Sequence, residues 1–143
     1  MTAIALVISL LVGGCAQQSE EVDPGVLEEV NKIGTVIWEG RKEGLMGSEA
    51  VVTHAFLVDV GGDTEEESLG KAVAYLQGRN WTTKLDSRPQ NVWLKSSRWK
   101  GATIAAYAWS VSEEHDQPEA MKAIESQGIK PTALVSVYAY VGW

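Results

Sequence analysis

The chain has 143 residues, a formal net charge of −7 and a single cysteine. This length suits one domain with one hydrophobic core, and a single cysteine excludes an intramolecular disulfide. An acidic chain without a recognisable nucleic-acid-binding motif argues against nucleic acid as a partner.

The N-terminus combines a short apolar run with a cysteine. Residues 3–12 are apolar apart from one serine, and Val12-Gly13-Gly14-Cys15 closes the run. The run is too short to cross a hydrocarbon core, which needs about 20 apolar residues, and it matches the apolar region of a secretory signal peptide. Val12-Gly13-Gly14-Cys15 resembles the lipobox of bacterial lipoproteins.

The lipobox resemblance implies a lipid anchor on Cys15, with residues 1–14 removed as a signal peptide. It places the protein at the extracytoplasmic face of a cell membrane, with the membrane as a partner through the lipid. Each buried methylene contributes about 0.8 kcal/mol, so two or three acyl chains make attachment effectively permanent. Residues 15–23 are then the lipidated cysteine with a polar tether, and residues 24–143 form one α+β domain.

Charge is unevenly distributed along the chain. Residues 20–67 hold 13 acids against 3 bases, whereas residues 68–100 hold 7 bases against 1 acid. One interpretation is that these segments neighbour and neutralise each other in the fold. The alternative is a basic patch that faces anionic lipid head groups or an anionic wall polymer.

The first predicted elements are a helix and a strand. Asp23 and Pro24 form a helix start, and apolar residues at helical spacing predict an amphipathic helix over 24–39. Gly40 fits its end, and residues 41–50 read as a loop. The β-branched run over 51–60 predicts a strand.

The rest of the chain alternates helices with strands. Thr64 followed by Glu67 has the spacing of a capping box, which predicts a helix that Gly78 ends. The remaining predicted elements are strands over 81–86, 92–99 and 102–111, a helix over 117–127 and a strand over 133–141.

These elements predict an α+β fold. If the short strand 81–86 is an addition, the elements after the first helix follow the order βαββαβ. That order indicates a ferredoxin-like fold or a close variant, in which an antiparallel sheet carries both helices on one face.

Catalytic and cofactor motifs are not recognisable. The run 113–116 (Glu-Glu-His-Asp) reads as a solvated loop with Asp116 capping the next helix, because four consecutive residues cannot converge on one ion. His54 reads as a hydrogen-bonded histidine within a sheet. No nucleophile motif of the hydrolases is present, and Gly61-Gly62 lacks phosphate-loop spacing, so no metal or cofactor is predicted.

Aromatic residues on the last three strands suggest a ligand-binding face. One pairing register brings six side chains together, and a shift by one residue separates them; the sequence leaves both registers open. In one interpretation this face is open to sugar rings or apolar ligands, and in the other helix 24–39 covers it. The six residues are Trp93, Lys95, Tyr107, Trp109, Tyr138 and Tyr140.

Three function hypotheses follow. The first is a lipid-anchored accessory or binding protein without enzymatic activity, acting on an envelope glycan or protein. The second is an envelope hydrolase that uses two carboxylates, one with a raised pKa, in a shared cleft. The third is a subunit whose aromatic face docks onto another envelope protein.

Overall fold

The computed structural model describes residues 20–142. Within that range the chain forms six strands and three α-helices, with short 3-10 helices at 109–111, 113–116 and 131–133. In chain order the elements are α1 (Pro24–Asn31), β1 (Thr35–Met46), β2 (Glu49–Asp59), α2 (Glu65–Gly78), β3 (Trp81–Ser87), β4 (Asn91–Ser96), β5 (Ala102–Ala108), α3 (Pro118–Gln127) and β6 (Leu134–Val141).

All six strands belong to one antiparallel sheet, in the order β1-β2-β6-β5-β4-β3. The α+β class predicted from the sequence is therefore confirmed. The ferredoxin-like strand order is not, because β6 lies between β2 and β5 and separates them. A ferredoxin-like sheet has the first and third strands of its βαββαβ unit side by side.

The sequence prediction fails most clearly at the N-terminal helix. Asp23 accepts a hydrogen bond from the backbone nitrogen of Gly25 at 2.8 Å, so the start is as expected. The helix ends at Asn31, however, and Thr35–Met46 forms a long strand where the sequence predicted the end of helix 24–39 and a loop. The residues at 35–37 are β-branched and suit a strand, and β1 pairs with β2 along its whole length.

Residues just before α1 already contact the domain. The backbone nitrogen of Glu20 donates to the carbonyl of Ala50 at 3.1 Å, and the carbonyl of Glu20 accepts from Val52 at 3.0 Å. Val22 is buried. The chain therefore joins the sheet at Glu20, inside the segment that the sequence assigned to the tether.

One face of the sheet, called here the core face, packs against α1 and α2. Its strand residues are apolar and fully buried, among them Phe56, Ile104 and Val137. Val26 of α1 and Leu69 of α2 belong to the same cluster. Alternation along each strand places every second side chain on this face, so the core face contains the main hydrophobic core.

The opposite face, called here the aromatic face, differs in its cover. Helix α3 and the 3-10 helix at 109–111 cover one end of it, where Leu57, Trp109 and Ile124 form a second cluster. The two helices of the βαββαβ reading thus lie on opposite faces, which is a further departure from the predicted arrangement. The other end carries the aromatic side chains of β4, β5 and β6.

Candidate functional site

A cavity of about 240 Å³ lies on the end of the aromatic face that α3 leaves uncovered. Strand pairing produces it, because Trp93 lies opposite Ala105 and Ala105 lies opposite Tyr138. Among the two registers left open by the sequence, the structure has the one that gathers aromatic side chains. The cavity is lined by Thr53, Trp93, Ala105, Tyr107, Glu113, Tyr138 and Tyr140.

Helix α1 does not cover these rings. It packs on the core face through Val26 and Val30. The interpretation in which helix 24–39 shields the aromatic face is therefore not what the structure has. Tyr138 and Tyr140 are each 9% exposed, because the rings and strands around them provide most of their cover.

Three of the four rings contact one another, through one edge-to-face pair and one hydrogen bond. The Tyr107 and Tyr138 centroids are 5.5 Å apart with their planes at 86°, an edge-to-face geometry that contributes about 0.5–1.5 kcal/mol beyond area burial. Trp93 Nε1 donates a hydrogen bond to the Tyr107 hydroxyl at 3.3 Å. These contacts fix three of the four rings as walls of the cavity.

Two of the six predicted site residues lie apart from the cavity. Trp109 follows the end of β5, and its ring packs 4.0 Å from the ring of His115 at the α3 end of the face. Lys95 is on the aromatic face, where its Nζ donates to the carbonyl of Gly142 at 2.6 Å. Burial lowers the pKa of Lys95 below its usual range. Neither residue is among those that line the cavity.

The Tyr138 hydroxyl belongs to a buried polar network that the sequence did not predict. Glu114 is fully buried, whereas the sequence placed it in a solvated loop. Its Oε1 accepts from Lys42 Nζ at 2.6 Å and from the Tyr138 hydroxyl at 3.1 Å. Ser136 Oγ donates to Ser112 Oγ at 2.6 Å, and Ser112 Oγ accepts from the backbone nitrogen of Glu114 at 3.1 Å.

The only signal for this network in the sequence was local. Ser112 followed two residues later by Glu114 is typical of a serine that turns the chain and caps a short helix. Lys42, which pairs with Glu114 from 72 positions earlier in the chain, was predicted to lie in a loop. Its contact with Glu114 exists only because β1 is a strand in the sheet.

Two tyrosines of the cavity, Tyr138 and Tyr140, have a raised pKa. Burial raises the pKa of Tyr138 far above its usual value, and the charges of Glu114 and Glu113 raise it further, while a hydrogen bond with Ser112 works against them. Burial likewise raises the pKa of Tyr140, with a smaller contribution from Tyr107. The Tyr138 and Tyr140 side chains are therefore neutral phenols at physiological pH.

The histidines and acids form no metal site in the described part of the chain. Within residues 20–142, no group of three His, Cys, Asp or Glu side chains is arranged to hold a metal ion. His54 is buried and hydrogen-bonds to Glu21 Oε1 at 2.6 Å, as expected of a sheet histidine with a partner. Asp116 does not cap α3; the capping position is Gln117, without a side-chain hydrogen bond.

The acidic and basic segments contact each other. Arg79 of the basic segment pairs with Glu29 of the acidic one at 3.1 Å, and Lys71 pairs with Glu67 at 3.4 Å. Such pairs support the interpretation in which the segments are neighbours in the fold. The Lys71–Glu67 pair is exposed on both sides, and exposed pairs contribute at most about 1 kcal/mol each.

Cys15, the predicted signal peptide (residues 1–14) and residues 16–19 of the predicted tether lie outside the described residues. Within 20–142, no helix has both the length and the apolar character needed to span a bilayer. The chain matches no known family model, no curated protein and no solved structure.

Proposed function

We propose that this protein is a lipid-anchored, extracytoplasmic binding protein whose aromatic cavity takes a small ligand, without catalysing a reaction on it. The observation that carries the proposal is the cavity itself. It has about 240 Å³ of space and four aromatic rings in its walls, and no residue of α1, α2 or α3 is among the described residues that line it. Concave sites with apolar walls and few polar groups are typical of small-molecule binding.

The chain geometry supports a site near the membrane. Glu20 is hydrogen-bonded to Val52, and the next residue, Thr53, lines the cavity. Four residues lie between Cys15 and Glu20, and the five Cα-to-Cα steps of an extended chain reach about 18 Å at most. An anchor on Cys15 would therefore hold the cavity close to the bilayer surface.

The carboxylate hydrolase has less support. Its mechanism needs two carboxylates that face one space. Among the described residues that line the cavity, Glu113 is the one carboxylate. Glu114, its neighbour in the chain, is instead hydrogen-bonded to Lys42 and Tyr138.

The anchor and the cavity are tested separately. For the anchor, the full chain and a Cys15→Ser variant are expressed in a bacterium, and acylation is read by mass spectrometry. We expect two or three acyl chains on the N-terminal cysteine of the first and none on the second. An unmodified Cys15 in a processed, exported chain would remove the lipid anchor from the proposal.

For the cavity, the full chain in a non-ionic polyoxyethylene detergent is screened by saturation-transfer NMR. The probes are a neutral amino sugar, a short alkyl alcohol and a quaternary ammonium ion. We expect at least one probe to bind with an affinity that Tyr107→Leu lowers and Tyr107→Phe retains, because only the first variant loses the ring. Binding of no probe, or binding equal in both variants, would contradict a ligand site in this cavity.

A further inference from the structure

We infer that the aromatic cavity selects a positively charged ligand group, a methylated quaternary ammonium, over neutral groups of the same shape. The inference rests on the proposed function, since it names the ligand chemistry of the same cavity. Three features of the lining carry it: the arrangement of the rings, the use of their hydrogen-bond donors, and the charge at the rim.

The rings form several walls of one space. Trp93, Tyr107, Tyr138 and Tyr140 all line the cavity, and the planes of Tyr107 and Tyr138 are nearly perpendicular. A ring face carries negative electrostatic potential, so a cation held among several faces is attracted by each of them. A flat stacking platform for a sugar needs only one exposed plane and does not need perpendicular walls.

Two polar hydrogens of the aromatic walls are already engaged within the protein. The indole N–H of Trp93 points to the Tyr107 hydroxyl, and the hydroxyl of Tyr138 donates to Glu114. A neutral polyol binds through several matched donors and acceptors. The Trp93 N–H and the Tyr138 O–H already donate within the protein, so these two hydrogens do not serve a polyol. A quaternary ammonium has no N–H or O–H at its charged centre, so it loses nothing by their absence.

The charge at the rim has the sign that a cation needs. Glu113 is the one charged residue among the described residues that line the cavity, and it is exposed. The ammonium of Lys42 is paired with Glu114 at 2.6 Å, and Lys42 is not among the residues that line the cavity. Lys95 lies farther along the face and donates to the carbonyl of Gly142.

The same region of the protein already holds one cation against an aromatic ring. Lys42 Nζ lies 5.8 Å from the centroid of the Tyr138 ring, within the range over which a cation is attracted to a ring face. The rings of Tyr138 and Tyr140 also remain neutral, since burial raises the pKa of both. These two walls therefore keep their attraction for a cation across the physiological pH range.

The experiment compares two ligands of equal shape. Choline and its uncharged carbon analogue 3,3-dimethyl-1-butanol are titrated by calorimetry into the full chain in polyoxyethylene detergent. We expect choline to bind at least tenfold more tightly. Glu113→Gln is expected to weaken choline binding about three- to tenfold and to leave the neutral analogue unchanged. Glu125→Gln, an exposed acid on α3 with the same change of charge, is the control and should change neither.

The outcomes separate this inference from the proposed function. Equal binding of both compounds, with both lost in Tyr107→Leu, would overturn the charge selection while a ligand cavity remains. Binding of the amino sugar alone would do the same. Failure of every probe would overturn both.

A second arm identifies where the ammonium comes from. The anchored protein is reconstituted in phosphatidylglycerol vesicles that contain an equal fraction of either phosphatidylcholine or phosphatidylethanolamine, so that the surface charge is the same, and free choline is titrated into each. A lower apparent choline affinity in the phosphatidylcholine vesicles assigns the group to a lipid head group. Equal affinity in the two vesicle types assigns it to a free small molecule.

Discussion

The two faces of the sheet are formed by the same six strands, but they differ in the elements that cover them. The core face is closed by α1 and α2, and most of its side chains are apolar and buried. In the part of the chain that the structure describes, α3 covers the aromatic face at one end only, and the other end combines rings with hydroxyls, a buried carboxylate and a cavity. The comparison indicates that stability resides mainly in the first face, which leaves part of the second available for binding.

The largest effect is expected on the core face. Phe56 is fully buried among residues of both helices and four strands, so Phe56→Ala should lower the free energy of unfolding by about 3–5 kcal/mol. Urea unfolding followed by circular dichroism measures it. A loss below about 1 kcal/mol would show that the core face does not dominate stability.

The next effect concerns the pair behind the cavity. Lys42→Met leaves the buried carboxylate of Glu114 without its cation and should cost about 2–3 kcal/mol, less than a fully buried pair because Lys42 is partly exposed. The double variant Lys42→Met with Glu114→Gln should be more stable than the single one, since it removes the unpaired charge. Additive losses in urea unfolding would contradict the pairing.

Alkaline pH should affect the aromatic face selectively. The pKa of Tyr138 is raised in the folded protein, so the unfolded chain loses this proton first, near pH 10. The contribution of this tyrosine to the free energy of unfolding is fully present below about pH 10. Above that pH it falls by about 1.4 kcal/mol per pH unit for each tyrosine whose pKa is raised in the folded protein. Tyr138→Phe should be less stable at pH 8, through loss of its hydrogen bond to Glu114, and should show a shallower alkaline decline. Equal slopes for the two proteins would argue against this assignment.

The smallest effect is expected at the rim. Glu113→Gln changes an exposed side chain and should shift the free energy of unfolding by less than about 0.5 kcal/mol, while it weakens choline binding. Glu114→Gln, one residue along, should be clearly destabilising because that side chain is fully buried. Thermal unfolding of the two variants, measured side by side, tests this difference. Similar losses of stability in both would contradict it.

Local signals in the sequence were reliable where the structure is local. Thr64 accepts from the backbone nitrogen of Glu67 at 3.1 Å and starts α2 as expected, and Gly128 ends α3 with a positive φ of 62°. Alternation within each strand left two registers open, one of which gathers Trp93, Tyr107, Tyr138 and Tyr140 on one face; the choice between them comes from the strand pairing in the structure.

Features that depend on residues far apart in the sequence could not be predicted from local patterns. The residues at 35–37 satisfy both a helical stripe and a strand, and pairing with β2 decides between them. Glu114 is buried because Lys42 reaches it from a strand 72 positions earlier. Strand order was equally hidden, since hydrophobic pattern specifies which side of a strand is buried and leaves its neighbours unspecified.

The central place of β6 has a consequence for how the protein reaches its final form. Leu134–Val141 is the last strand in chain order, yet it is the one that joins the β1–β2 hairpin to the β5–β4–β3 meander. Without it the sheet would be two separate pieces, so a chain cut before residue 134 has no continuous ladder. Synthesis therefore delivers the joining strand after the other five, and the sheet becomes continuous only once residues 134–141 have been made.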